Sequence, residues 1–309
     1  MLWQSMTDAP PQSAAPTPLE AAAIQTRLAN CPRLPSLASV NSALRDLLNA
    51  DQRYTSQIAE IIRRDPSLTA RLLRLVNSVY YGLSTPINNI EEAVFYLGVR
   101  QIRQLAMVTP IIEDFQKLAG RTTFRWREFW RHCIATAILT REVVGCVHSP
   151  SDEVDYVAGL VHDVGKIVMA SAFPDHFAEV QRRHAPSDDS LLAVEVAVLG
   201  MDHAELGACY LKGHNLPDAL VEVAHYHHAP ERAGHHARLV AAVQVADLLA
   251  RHAGIGDSGS RTPVAEADWQ EAIGWAILFG SNSETEKSLA HASLKRSLEK
   301  LPTFLDGLV

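Results

Sequence analysis

The sequence predicts an all-α fold, and three observations carry that prediction. Apolar residues recur at helical spacing along most of the chain. Cap signatures with proline or glutamate precede these stretches, and no run of alternating β-branched residues is followed by a two-residue hairpin turn. With 309 residues, 47% of them hydrophobic, the chain can bury one large core or two smaller ones.

Taken in order, the opening stretch MLWQSMTDAPPQSAAPTP has neither a basic n-region nor an apolar h-region, and residues 1–17 read as a disordered Pro/Ser/Ala tail. A first helix is expected from Thr17-Pro18-Leu19-Glu20, where threonine caps, proline fills the first turn and glutamate closes a capping box. A second is expected at Ser36. Asp65-Pro66 repeats the signal ahead of Leu68, Leu72, Leu75 and Val76, and another helix runs from Asn89 to Gly98. Its successor carries Ile102, Leu105 and Ala106. Together these predict an N-terminal helical bundle over 18–120.

After Gly120 the pattern restarts in WREFWRHCIATAILTREVV, a long amphipathic helix, and continues in DEVDYVAGLVHDVGKIVMA, read as a second. Later helices are marked by Ser187 to Leu199 ending at Gly200, by the capping box Asp202-His203-Ala204-Glu205, by Pro217 near a helix start, and by 237–252. The second helical unit thus covers 121–253. Residues 254–263, GIGDSGSRTP, read as a linker, and 264–309 as a helical tail patterned around Trp269, Ile273, Ala276 and Ile277.

Composition excludes several classes. Cys31, Cys133, Cys146 and Cys209 form no C-x-x-C pair, which fits a reducing compartment and makes the cytoplasm the expected location. No apolar run reaches the roughly 18 residues of a membrane span. The net charge of -7 disfavours a general nucleic-acid binder. Residues 31–130 do hold 13 Lys/Arg against 9 Asp/Glu, but a nucleic-acid site would require Arg63, Arg64, Arg71, Arg74, Arg100 and Arg103 to share one face.

The chemistry concentrates at Gly159-Leu160-Val161-His162-Asp163-Val164-Gly165-Lys166, an imidazole and a carboxylate inside an otherwise apolar stretch. A carboxylate in a low-dielectric interior must be hydrogen-bonded, ion-paired or metal-bound. Gly159 and Gly165 each cost about 1 kcal/mol relative to alanine within a helix, so something must approach the backbone there. A buried His-Asp ion pair against small residues accounts for these eight residues equally well.

Further donors lie on neighbouring elements: His132, His203, the adjacent His227 and His228, and Asp247 within LVAAVQVADLLA. Each alone has an ordinary reading, as a core histidine, a loop residue or an arginine's partner. As a set they can line one cavity between antiparallel helices. Imidazole nitrogen with carboxylate oxygen suits a divalent ion, Fe or Mn first and Zn or Mg as alternatives, and the lack of cysteine disfavours a structural zinc site. Glu128, four residues before His132, is a further ligand or a surface carboxylate beside Arg125 or Arg131. His176 and His184 read as helix-surface residues.

The order His, His-Asp, His, His-His, Asp resembles the HD superfamily of metal-dependent phosphohydrolases, including its cyclic-di-GMP phosphodiesterase branch. RDPSLTARLLRLVNSVYYGL, INNIEEAVFYLGVRQIRQL and MDHAELGACYLKGHNLPDALVEVAHYHH resemble more closely the HDOD domain, a bacterial signalling and regulatory relative, over about residues 30 to 250. The resemblance implies one metal held by His132, His162, Asp163 and Asp247 and a second held by Asp163, His203, His227 and His228. It makes Asp163 the bridging, catalytic carboxylate and turns Lys166 toward a phosphate. HHAPERAGHHARL, after His228, lacks the Gly-Tyr-Pro signature of the phosphodiesterase branch.

Two functions are therefore expected in order: an HDOD-type regulator acting on other signalling proteins, with a nucleotide or cyclic dinucleotide as a candidate ligand, and an active metal-dependent phosphohydrolase or phosphodiesterase.

Overall fold

The structure, a computed structural model, describes residues 15–30, 73, 86–95, 124–147, 153–184 and 190–306. Helix α1 spans Ala21–Ala29, α2 Trp126–Cys146, α3 Glu153–Val161, α4 Val164–Ala172, α5 Pro174–His184 and α6 Leu191–Leu199. Then come α7 at His203–Gly213, α8 at Asp218–Tyr226, a 3-10 turn at Pro230–Arg232, α9 at Ala237–His252, α10 at Glu266–Gln270, α11 at Ile273–Phe279 and α12 at Glu284–Asp306. Among the described residues there is no strand, as the sequence predicts. Most of the expected N-terminal bundle, including the helices at Ser36 and Asp65 and the six arginines, lies outside the described residues. The Asn89 helix is seen over 90–95, where Asn89 Oδ1 accepts from the Glu92 amide at 2.7 Å.

The centre of the fold is α2, which buries Phe129, His132, Cys133, Thr136, Ala137 and Thr140 between α3 and α9. Helix α9 is buried over nearly its whole length, from Val240 to Ala250, because α2, α8 and α11 pack around it. Phe124, Trp126, Phe129 and Phe177 form an aromatic cluster that joins the start of α2 to α5. Gly159 lets α3 cross α2 closely: a β-carbon there would come within 2.6 Å of Thr140 Oγ1 and 2.7 Å of Ala137 Cα. Gly165 plays the same part between α4 and α7, where a β-carbon would fall on the His203 carbonyl.

Several expectations are corrected. The first helix begins at Ala21, not Thr17, and Glu20 caps it without a side-chain hydrogen bond. Residues 17–20 are instead an extended strap whose backbone is committed elsewhere: the Leu19 amide donates to Leu199 O at 2.8 Å, and Thr17 O accepts from His176 Nε2 at 3.1 Å. His176 and His184, read as surface residues, are both buried.

The stretch DEVDYVAGLVHDVGKIVMA is not one helix but two, broken by a turn at His162 and Asp163. Adjacent residues on a continuous helix point about 100° apart. The break lets both side chains face the same interior space, which helical periodicity alone does not require.

Elsewhere α6 begins at Leu191 and not at the expected Ser187, while its end and the starts of α7 and α8 lie where expected. Ser190 caps α6 through its Oγ, Gly200 ends it at φ 96°, and Asp202 Oδ1 accepts from the Glu205 amide at 2.8 Å at the start of α7. Residues 254–263, read as a linker from composition, lie against the core: the Asp257 amide donates to Glu128 O at 2.9 Å, and Ile255 and Ser258 are buried. Beyond them, α11 packs on α9 and α12 on α2.

Candidate metal centre

Seven side chains from five places in the chain meet between α2, α4, α7 and α9. His132 comes from the second turn of α2, His162 and Asp163 from the break between α3 and α4, and His203 from the first residue of α7. His227 and His228 follow the end of α8, and Asp247 lies in the middle of α9. These are the residues the sequence singled out.

Two groups of ligand atoms result, each with its members within 4.8 Å of one another: His132, His162 and Asp163, and Asp163, His203, His227 and His228. Asp163 belongs to both. Asp247 joins the first group with Oδ1 3.0 Å from His132 Nε2 and 3.9 Å from His162 Nε2. In the second, Asp163 Oδ1 lies 3.1 Å from His203 Nε2 and 3.6 Å from His227 Nε2, and His203 Nε2 lies 3.1 Å from His228 Nε2. Ligands bound at about 2.1 Å stand roughly 3 to 3.4 Å apart along the edges of a coordination polyhedron, so these spacings fit an ion.

The imidazoles are aimed by their outer nitrogens. His162 Nδ1 donates to Gly159 O at 2.8 Å, His227 Nδ1 donates to Ala224 O at 3.0 Å, and His203 Nδ1 donates to Glu195 Oε2 at 2.6 Å. Each bond places the proton on Nδ1 and turns Nε2 inward, the arrangement that orients metal-binding histidines. Among the described residues, the inward atoms His162 Nε2, His227 Nε2 and Asp163 Oδ1 have no well-formed hydrogen bond, and they are buried. Buried polar atoms left so are expensive unless a cation satisfies them. The donor set therefore fits a divalent ion.

Electrostatics agree. Burial alone would raise Asp163, but Lys166, His162 and His203 hold its carboxyl well below the usual range. Asp247, likewise raised by burial, is pulled below its ordinary value by His132, Arg251 and His162. Burial would lower His203, yet Glu195 and Asp163 outweigh it and raise it to about 9. Burial depresses His227; His228, exposed at one side, has its ring crowded among the site's groups and beside His227 and His203, which lowers it too, so both stay neutral donors near pH 7.

Two residues take parts the sequence did not give them. Lys166, expected to face a phosphate, is buried with Nζ 2.6 Å from Asp163 Oδ2 and 2.9 Å from Ser258 O, so it is also an internal countercharge to Asp163. Glu195 accepts from both the amide and the ring of His203 and was missed. Its signal was a lone acid within the apolar LLAVEVAVL, eight residues before a histidine. Glu128 contributes a backbone carbonyl to Asp257, and its carboxylate is in neither ligand group. A pocket of about 200 Å³ opens beside the cluster, lined in part by Asp163, Lys166, His203, His228, Asp247 and Arg251.

An all-helical core that brings His, His-Asp, His, His-His and Asp together around one interior space defines a protein of HD type. More narrowly, residues 34–230 match the HDOD domain, and the chain belongs to that family. A protein of Treponema pallidum (strain Nichols), uncharacterized, is 27% identical over 237 residues, which is 75% of this chain and 44% of that one. The chain thus spans less than half of that relative's length.

Among solved structures, an HDOD domain protein of unknown function from Geobacter sulfurreducens aligns with a TM-score of 0.73 at 24% identity over 96% of this chain and 94% of its own. A Shewanella amazonensis SB2B protein provisionally named a phosphohydrolase gives 0.66 at 23% over 93% and 98%. At these identities the likeness establishes the shared fold.

Proposed function

We propose that this chain is a cytoplasmic regulatory protein of bacterial signalling, acting through contacts with other signalling proteins, whose HD half holds a divalent metal centre. The observation that carries the metal assignment is the convergence of buried Nε2 and carboxylate atoms, with the rings of His162, His227 and His203 fixed from outside by Gly159, Ala224 and Glu195. His132, His162, Asp163 and Asp247 would hold one ion and Asp163, His203, His227 and His228 a second, with Fe or Mn preferred for this nitrogen and oxygen set. Membership of the HDOD family and the absence of Gly-Tyr-Pro after His228 support regulation over turnover.

A second reading, phosphoester hydrolysis, is favoured by the pocket, which sets Lys166 and Arg251 beside the cluster. A bound divalent ion would supply Lewis acidity toward a phosphoryl oxygen. The chain's own part would be to orient the ligand with these two cations and to keep bulk water from the buried histidines.

The test is metal analysis of anaerobically purified protein with a turnover screen on nucleotides and cyclic dinucleotides, wild type against Asp163→Ala. Bound metal without Asp163-dependent turnover, together with a specific partner in pull-downs from native expression, supports the regulator. Asp163-dependent turnover with no partner recovered replaces it by the hydrolase, and no bound divalent ion overturns both.

A further inference from the structure

Arg251 and residues 254–263 lie outside the part of the chain that matches the HDOD domain, yet they wall the pocket beside the metal cluster. Arg251 stands one turn beyond Asp247 on α9, and its side chain is largely buried. Its Nη2 donates to Ser260 Oγ at 3.1 Å and to Thr262 O at 3.2 Å, while Nη1 lies 3.5 Å from Asp247 Oδ2. Ser258 and Ser260 line the same space, and Lys166 adds a second cation, tied to the Ser258 carbonyl. Facing them is the start of α6, Ser190 to Leu192. The leading amides of a helix lack intrahelical acceptors, and its dipole favours negative charge there.

Charge decides what such a pocket takes. Asp163 and Asp247 offset Lys166 and Arg251 one for one, and divalent ions on the two carboxylates would leave these two cations unopposed and the pocket strongly positive. The planar guanidinium matches two oxygens of a phosphate, and serine hydroxyls can turn to donate to a third. Leu191 and Leu192 offer an apolar wall to whatever the phosphate carries. The volume, about 200 Å³, lies below the roughly 300 Å³ at which pockets begin to hold drug-sized ligands.

We infer, relying on the metal centre proposed above for the charge balance, that Arg251 with the hydroxyls of Ser258 and Ser260 forms a recognition subsite for a small phosphomonoester whose phosphate lies beside that centre. Specificity then resides in a segment whose composition suggests only a linker.

The test titrates inorganic phosphate, then phenyl phosphate, into the full chain by calorimetry, with and without Mn2+, and measures Mn2+ stoichiometry in parallel. One phosphate per chain is expected, bound more tightly with Mn2+. Arg251→Gln should weaken it about tenfold, as loss of a charged hydrogen-bond donor does, and Ser260→Ala about threefold. Because Arg251 also touches Asp247, Ser260→Ala, which leaves the ligands untouched, must retain wild-type Mn2+ stoichiometry. The subsite is refuted if wild type takes up Mn2+ but no phosphate, or if both variants bind phosphate as wild type does. Arg251-dependent phosphate binding in a chain that takes no Mn2+ would keep the subsite and overturn the metal centre.

Discussion

Replacing Asp163 with asparagine should be among the most damaging isosteric changes in the molecule, even without metal. Its carboxylate is buried and lies 2.6 Å from Lys166 Nζ, 3.1 Å from His203 Nε2 and 3.4 Å from His162 Nε2. An amide in its place leaves the Lys166 ammonium in the interior with neutral acceptors alone, the Ser258 carbonyl and the amide oxygen, and no countercharge. Removing one partner of a buried pair costs about 3–5 kcal/mol, a large share of a total stability of about 5–15 kcal/mol. Adding Lys166→Met removes the stranded charge, so the double variant should recover roughly 1–3 kcal/mol relative to the sum of the single changes. The assay is urea unfolding of EDTA-treated protein followed by far-UV circular dichroism. Additivity of the two substitutions within about 0.5 kcal/mol would refute the pairing.

Other outcomes follow from the same geometry. In the metal-free protein His203 is raised to about 9 and His162 is also raised, so a metal must displace protons. Affinity for Mn2+ should therefore climb with pH up to about 9, with proton release seen as a dependence of calorimetric heat on buffer ionisation enthalpy. The same shift has the opposite sign for metal-free stability: the folded value exceeds the unfolded one, so the contribution of His203 is full below about pH 6.5 and is lost as pH rises through 9. Glu195→Gln removes the charged acceptor behind His203 and should weaken metal binding about 10- to 100-fold, measured by competition with a chelating dye. Gly165→Ala would drive a methyl group into the His203 carbonyl, separating α4 from α7, and should leave little folded protein in a thermal melt.

Much of this was legible in the sequence because its causes are local. Helix periodicity and caps such as Asp202 and Gly200 are written in consecutive residues, and they place the end of α6, the start of α7 and all of α9 where they lie. The donors were legible for another reason: an ionisable residue within an apolar run, as at His162-Asp163 and Asp247, needs an unusual partner wherever it occurs. What escaped depends on distant contacts. The break between α3 and α4 is marked by no proline, and it is stabilised by the approach of α2 at Gly159 and α7 at Gly165. The strap at 17–20 loses its cap to hydrogen bonds with residues more than 150 positions away. Residues 254–263 look like a linker because glycine and serine are common in linkers, and their packing on Lys166, Glu128 and Arg251 appears only in three dimensions.

The inward nitrogen and carboxylate atoms exist to hold divalent ions. The decisive measurement is the metal content per chain of anaerobically purified wild type beside His132→Ala and His228→Ala. Two ions are expected in the wild type, with His132→Ala and His228→Ala each lowering occupancy by weakening a different one. A wild-type chain that folds as described and holds no stoichiometric divalent metal, even after incubation with Mn2+ or Fe2+, would contradict that role.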